Sequence, residues 1–215
     1  MWAGRGRDVG NDGTSGRANT KRKPSGARRR IIGSAYKLFT RKPVGAVGID
    51  TIIEHAGIAK MSLYRHFQSK EALVLEVLRH RSALWTLRWL KAEVLRRAEA
   101  PEDRLLAVFD IFHEWFQRRD FEGCTFINVL LEAEPKSPLH RAAAGHLAEV
   151  RTLLSSFATE AGLADVERFT QTWHILMKGS IVAAGEGNRQ AALHAVNAGR
   201  LILGNWPRAT PAAAP

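Results

Sequence analysis

The chain has 215 residues, of which 45% are hydrophobic and 25% are charged, and its formal net charge is +11. A chain of this length can bury a core without metal or disulfide support. Its single cysteine, Cys124, excludes an intramolecular disulfide and a zinc site built from cysteines. The sequence contains neither an apolar run long enough to span a bilayer nor the apolar segment of a secretory signal, so we expect no membrane partner.

The positive charge is concentrated near the start of the sequence. Residues 1–30 contain nine Arg and Lys against two Asp, and residues 31–80 contain seven against four, whereas the remainder is nearly neutral. Residues 1–27 are also rich in glycine and lack apolar periodicity. We therefore predict a disordered basic arm there, suited to DNA phosphates. The alternatives are a basic tail that only aids solubility and an overextended translation start with no role.

Helical periodicity begins at Arg28 and recurs along the rest of the chain, without alternating strand patterns or internal repeats. Residues 28–68 would form one domain and residues 69–205 a second, followed by a flexible tail over residues 206–215. The fourth helix would carry the apolar stripe Leu73, Val77, Leu84 and Leu87. The pattern predicts an all-α fold of about nine helices, over residues 28 to about 43, 49–56, 58–67, 69 onward, 101 to about 116, 123–134, 137–161, 165–184 and 189–203.

Residues 49–67 have the pattern of a helix-turn-helix. Ala56 permits the close approach of two short helices, and Gly57 permits the left-handed backbone of the turn between them. The second of these helices buries Leu63 and Phe67, four residues apart. A helix of this size fits the major groove of DNA, where its first residues reach base edges. The side chains left to face outward or sideways are Lys60, Met61, Ser62, Tyr64 and His66.

Four segments around this motif resemble the TetR/AcrR family of bacterial transcriptional regulators: AYKLF at residues 35–39, AGI at 56–58, LYRHF at 63–67 and SKEAL at 69–73. The resemblance implies that Tyr64 lies against the DNA backbone, that Lys70 holds a phosphate, and that the start of the third helix reads bases. Each residue could instead be an ordinary surface residue, and His66 could pack beside the turn. The implied DNA-binding set is Gly48, Lys60, Met61, Ser62, Tyr64, His66 and Lys70.

Two positions depart from the family pattern. The family usually has Thr or Ser at the start of the second helix, where this chain has Val47 and Gly48. It often has Ser where this chain has Ala59. Gly is an acceptable N-cap, whereas Ala costs about 0.5–2 kcal/mol relative to Ser. We therefore expect altered phosphate contacts at these two helix ends and an unchanged fold.

The resemblance further implies a helical body that dimerises and binds a small inducer. An aromatic-rich set across the predicted fifth, sixth and eighth helices suits a mostly apolar pocket with a few polar anchors. Plain core packing is the alternative for each member, and Cys124 could otherwise be a redox-sensing thiol. The predicted pocket residues are Phe109, Phe112, His113, Phe116, Cys124, Phe126, Trp173, His174 and Met177.

The last two predicted helices combine small and large apolar residues, as closely packed helices do. Because a helix-turn-helix that reads an operator usually works in pairs, we expect these helices to form a homodimer interface. Packing within one chain is the alternative. The predicted interface residues are Phe169, Ile181, Ala184, Ala195, Val196, Gly199 and Ile202.

Together these features predict a homodimeric, ligand-responsive regulator: a repressor released from a palindromic double-stranded DNA operator by a small, largely apolar effector. Such a ligand would bind more tightly to a conformation in which the two DNA-binding domains of the dimer are wrongly spaced for the operator. It must then weaken operator binding by the same free energy. One alternative is a constitutive DNA-binding protein without a pocket. Another is a helical enzyme using His113 or His174, which the lack of a catalytic constellation disfavours. We expect no metal ion, no cofactor, and a cytoplasmic, nucleoid-associated location in a bacterium.

Overall fold

The computed structural model describes residues 26–83 and 89–210, and within these ranges the chain forms ten helices and no β-strand. The predicted all-α class is therefore confirmed. The helices are α1 Gly26–Phe39, α2 Ile49–Ala56, α3 Lys60–His66, α4 Lys70–Ser82, α5 Lys91–Arg97, α6 Pro101–Gln117, α7 Thr125–Glu132, α8 Pro138–Glu160, α9 Val166–Gly185 and α10 Ala191–Asn205.

The helix count exceeds the expected nine because a short separate helix, α5, precedes Pro101. The backbone at Ala83, and again at residues 89–90, has the wide turns of a π-helix. These turns interrupt what the periodicity presents as one continuous fourth helix. Leu84 and Leu87 of its predicted stripe lie outside the described residues, whereas Leu73 and Val77 are buried as expected.

The ends of the helices follow local signals in the sequence. Gly57 ends α2 with φ 59° and ψ 50°, in the left-handed region. Ser69 caps α4, because its hydroxyl accepts a hydrogen bond from the backbone N–H of Ala72 at 3.0 Å. Pro101 and Pro138 occupy the first turns of α6 and α8, where the missing N–H costs nothing. Short-range chemistry therefore accounts for most helix boundaries.

Two hydrophobic clusters organise the chain. The first joins α1, α2 and α3 to α4 and continues into α7 and the start of α8, through Phe126, Val129, Ala143 and Leu147. The second lies among α5, α6, α8, α9 and α10. The core of the N-terminal part thus extends across the expected domain boundary at residues 68 and 69. We call residues 26–67 the head and residues from 70 onward the body.

The chain after α10 is anchored over residues 206–209, contrary to the expected flexible tail. Trp206 Nε1 donates to the carbonyl of Ala164 at 2.8 Å, and the N–H of Ala209 donates to the carbonyl of Gly162 at 2.8 Å. Arg208 forms an isolated β-bridge with Leu163. These contacts satisfy backbone groups that a frayed end would leave to water.

Some expectations concern residues outside the described ranges. The predicted basic arm falls almost entirely on residues 1–25, and the last part of the predicted tail falls on residues 211–215. Gly26 already begins α1, two residues before the expected start of the first helix at residue 28. Among the described helices, none combines the length and apolar character needed to cross a membrane.

Candidate nucleic-acid interface

The helix-turn-helix is built by burying one side of two short helices. Ile52 of α2 and Leu63 of α3 are fully buried, and Phe67, directly after α3, is nearly so. Leu63 and Phe67 lie four residues apart, so both face the head core. This packing fixes the rotation of α3 and turns its opposite side outward.

The outward side of α3 carries side chains predicted to contact DNA. Met61 is 68% exposed and Tyr64 is 44% exposed, which is unusual for large apolar side chains. Lys60 is exposed, whereas Ser62 and His66 are half-buried at the flanks. This burial agrees with the predicted division of α3 into a side that packs in the core and a side that faces outward.

Two lysines of the predicted DNA-binding set already have partners within the protein. Lys60 Nζ lies 3.1 Å from Asp50 Oδ1, and the hydrogen bond with this carboxylate raises the pKa of Lys60. Lys70 Nζ donates to the carbonyl of Gly45 at 3.3 Å. Both pairs are exposed, so exchanging a partner for a phosphate costs little. Both ammonium groups remain usable for DNA.

The two departures from the family pattern have the expected structural effect. Gly48 is the N-cap of α2 and Ala59 is the N-cap of α3, and neither supplies a side-chain cap. Both have extended backbone, with ψ 152° at Gly48 and 146° at Ala59. The backbone is thus ready for a Ser or Thr cap, but the hydroxyl is missing.

Most of the predicted pocket is a packed core. Phe109 contacts Trp173 with ring centroids 5.5 Å apart, and Phe112 contacts Phe116 at 5.7 Å. These four rings and Met177 are at most 2% exposed. The alternative of core packing therefore describes them better than a preformed cavity does. Their side chains fill the space in which the aromatic-rich sequence predicted a ligand pocket.

Cys124 and Phe126 lie elsewhere, where α7 meets α4 and α8. Phe126 lines a cavity of about 320 Å³ between these helices. Burial raises the pKa of the Cys124 thiol, which does not favour a redox-sensing thiolate. The cavity is lined by Leu75, Leu78, Arg79, Ser82, Ala83, Phe126, Ala142, Gly145, His146 and Glu149.

A short hydrogen-bonded chain forms the polar wall of this cavity. Ser82 Oγ donates to Glu149 Oε2 at 2.5 Å and lies 2.9 Å from His146 Nδ1. Burial, followed by the charge of Arg81, lowers the pKa of His146 to about 4. His146 is therefore neutral near pH 7, and among the described residues that line the cavity only Arg79 and Glu149 carry a formal charge. Sequence inspection missed this wall because α4 and α8 are distant in the chain.

In the two histidines considered as polar anchors, the Nδ1 atom is buried and has no hydrogen-bond partner. This holds for His113 on α6 and for His174 on α9, and also for Trp173 at Nε1. Burial, with the charges of Lys178 and Arg151, lowers the pKa of His174 to about 3. His174 is therefore neutral near pH 7, and its burial leaves one hydrogen bond unmade.

The residues predicted for the dimer interface pack within the chain. Phe169, Ile181, Ala184, Ala195, Val196 and Gly199 are buried, and Ile202 is half-buried. A Cβ at Gly199 would lie 2.9 Å from the ring of Trp173, so this glycine permits close approach of α10 to α9 inside one chain. These positions therefore pack within one chain, as the alternative describes.

A second apolar stripe runs along the opposite side of α9 and α10. Ile175 is 65% exposed and Leu201 is 70% exposed, and Val182 and Leu193 are also exposed. A shallow groove between the two helices includes Leu176, Gly179 and His194. We call this surface the outer face. The signal for it was present in the sequence, since α9 is apolar on two sides.

Contacts between head and body were not predicted. The Arg81 guanidinium of α4 lies 5.0 Å from the ring centroid of Tyr36 on α1. Arg41, just after α1, pairs with Glu122 at 2.9 Å. Glu132, at the end of α7, accepts hydrogen bonds from the backbone N–H groups of Val44 and Gly45. These partners are far apart in sequence, and no local pattern connects them.

Comparison with known proteins gives consistent matches. Residues 31–77 match the family model "Bacterial regulatory proteins, tetR family". HTH-type transcriptional repressor KstR2 of Mycolicibacterium smegmatis is 32% identical over 104 residues, covering 47% of this chain and 48% of that protein. The chain thus matches over about half the length of such curated relatives.

Solved structures extend the similarity to the body. A TetR-family transcriptional regulator of Streptomyces coelicolor has a TM-score of 0.76 at 25% identity, covering 86% of this chain and 91% of that chain. A cysteine variant of the TetR family regulator CifR, in complex with a 26 bp double-strand operator DNA, has a TM-score of 0.70 at 23% identity, covering 86% and 100%. The family match covers the helix-turn-helix, and the similarity in fold to TetR-family regulators continues through the body.

Proposed function

We propose that the chain is a DNA-binding transcriptional regulator that represses from a palindromic operator. The observation that carries this proposal is the exposed side of α3, where Met61 and Tyr64 stand out beside Lys60 while Leu63 is fully buried. This arrangement suits insertion into a major groove. The repressor name of KstR2 and the operator DNA bound to CifR support it. The family consists of regulators, which argues against the helical enzyme.

Selection of bound duplexes from a random DNA pool tests the proposal directly. Wild-type protein should enrich one sequence, and Tyr64→Ala should lose affinity for it by about tenfold, as expected for one central contact. Leu95→Ala is a matched control, because Leu95 is equally exposed, at 44%, but lies on α5 in the body. No enrichment by the wild-type protein would refute DNA recognition.

The proposal includes a homodimer formed through the outer face. Exposed Ile175, Val182 and Leu201 form an apolar surface beside the groove of α9 and α10. Such surfaces on soluble proteins mark interaction sites. A second copy of the same face is a fitting partner, because pairing two heads doubles the number of base pairs read.

The proposal also includes a small, largely apolar effector. The cavity between α4, α7 and α8 supports it, since Leu75, Leu78 and Phe126 provide apolar walls. Helix α4 directly follows the head, so a ligand that moves α4 would move the head with it. The filled aromatic core favours the rival interpretation, a constitutive DNA-binding protein.

A thermal-shift screen with small apolar compounds separates these two functions. A sensor should be stabilised by a subset of compounds, and Gly145→Leu, which fills the cavity, should abolish the shift. A Cβ at Gly145 has no neighbour within 4 Å, so the variant should fold. Gly33→Leu on α1 is the matched control, because its Cβ position is equally open. Compounds that still raise the melting temperature of the Gly145→Leu variant would show that the effector binds outside this cavity.

A further inference from the structure

The loop between α1 and α2 is held by α7 from one side and by the start of α4 from the other. Glu132 Oε2 accepts from the N–H of Val44 at 2.8 Å, and Glu132 Oε1 accepts from the N–H of Gly45. The carbonyl of the same Gly45 accepts from Lys70 Nζ at 3.3 Å. Residue 45 is therefore bonded through both of its backbone polar groups.

The loop has the right shape to receive a carboxylate. The N–H of Ala46 donates to the carbonyl of Pro43 at 3.0 Å, which closes a turn with Val44 and Gly45 at its centre. The two central N–H groups have no partner inside such a turn, and together they form a small anion-binding concavity. A carboxylate with one oxygen for each N–H is a matched acceptor.

This contact lies next to the helix that lacks a side-chain cap. The loop leads through buried Val47 to Gly48, the N-cap of α2, which makes no side-chain hydrogen bond. The orientation of α2 at this end therefore depends on the loop before it. Through Glu132 that loop is tied to α7, whose other end carries Phe126 on the cavity wall.

We propose that Glu132 is a positioning residue for operator binding: without touching DNA, its carboxylate holds Val44 and Gly45 and so fixes the angle at which the head is presented. The inference rests on the proposed DNA-binding function. Because an exposed hydrogen-bonded contact contributes modestly, loss of the Glu132 side chain weakens operator binding by about two- to tenfold. The direction of the change in affinity is informative, because removing an acidic side chain would otherwise strengthen DNA binding.

The experiment uses full-length protein and the operator selected by the wild type. Glu132→Ala removes the contact from the body side. Gly45→Ala removes it from the head side, because a Cβ there would lie 2.9 Å from Glu132 Oε1 and displace the carboxylate. Glu134→Ala is the matched control, which loses the same charge two residues away at an exposed site. Each protein is measured on the selected duplex and on one whose half-sites are one base pair further apart.

Both contact variants should bind the selected duplex two- to tenfold more weakly, and the double variant should bind no more weakly than the weaker single variant. Their preference for the selected spacing should shrink by a similar factor, because one base pair turns a half-site by about 35° and a loosened head tolerates that turn. Amide exchange at Val44 and Gly45 should accelerate in Glu132→Ala. Glu134→Ala should bind as tightly as wild type, or more tightly, with unchanged exchange.

Equal affinity and equal spacing preference in wild type and both contact variants would overturn the role of Glu132, as would an equal loss in Glu134→Ala. A double variant whose loss equals the product of the two single losses would show that the residues act separately. These results would leave the proposed function intact. Failure of the wild type to select any duplex would instead overturn the proposed function, and this inference with it.

Discussion

The imidazole of His146 on α8 lies flat against the ring of Phe126 on α7, with ring centroids 3.4 Å apart and planes inclined by 11°. Both rings line the cavity, and His146 is only 4% exposed to water. A charged imidazolium would lose solvation there and would also face Arg81, which is why the pKa of His146 falls to about 4.

The stability of the protein should decrease as the pH falls below 6.5. The pKa of His146 is lowered to about 4 and that of His174 to about 3, so below pH 6.5 the unfolded chain binds protons that the folded chain does not. Each histidine stabilises the fold fully above pH 6.5. As the pH falls from 6.5 to the pKa of the folded state, each histidine lowers the free energy of unfolding by up to about 1.4 kcal/mol per pH unit.

Urea unfolding between pH 7 and pH 5 measures this slope. His174→Leu should flatten it, and Nδ1 of His174 makes no hydrogen bond that the variant would break. His55→Gln, at an exposed position on α2, is the control. A slope unchanged by His174→Leu would contradict the buried neutral state of that histidine.

Charges placed on the outer face should separate the proposed dimer. Leu201→Glu and Ile175→Glu add a carboxylate at exposed positions, so each should give a folded monomer with weakened operator binding. Sedimentation and circular dichroism report assembly and fold. Leu131→Glu, at another exposed leucine, should leave the dimer intact. A dimer that persists in both outer-face variants would exclude this surface.

A serine at position 59 should stabilise the head. Ala59 has the backbone of an N-cap without a side-chain acceptor, so Ala59→Ser should add about 0.5–2 kcal/mol to the free energy of unfolding. The converse change, Ser69→Ala, removes an existing cap at α4 and should cost a similar amount. Denaturant titration of both variants checks the prediction. If Ala59→Ser destabilised the protein, the start of α3 would differ from the geometry described.

Loss of Lys70 should reduce the salt dependence of operator binding. If its ammonium holds one phosphate, Lys70→Ala should lower the slope of log K against log salt by about 0.9. Lys91→Ala, at an exposed site on α5, should leave the slope unchanged. Titrations at several salt concentrations distinguish the two. An unchanged slope in Lys70→Ala would mean that this lysine serves only the Gly45 carbonyl.

The head was predictable because its signals are local. Ala56, Gly57, Leu63 and Phe67 fall within one short segment, and their spacing specifies both the turn and the buried side of α3. The missing caps at Gly48 and Ala59 were also readable from residue type alone. Their structural effects are as expected, and their consequences for DNA remain predictions.

The helices of the body were predictable from the sequence, but which of their sides are buried and which are exposed was not. Aromatic residues such as Phe109 and Trp173 suit a ligand pocket and a filled core equally well, and only their mutual contacts distinguish the two. The apolar pattern of α9 predicted an interface on the side that packs within the chain, whereas Ile175 and Val182 lie exposed on its other side. Glu132 carried no signal, because its partners lie 88 and 87 residues away in the chain.

The hairpin of α9 and α10 is fastened at both ends. A short connection over residues 186–190 joins the helices at one end, and the contacts of residues 206–209 with residues 161–164 join them at the other. Two helices held in this way cannot splay apart or slide lengthwise without breaking those bonds. We therefore expect the hairpin to move as one rigid unit if a ligand in the cavity shifts α4, with the adjustment taken up by helices outside the hairpin.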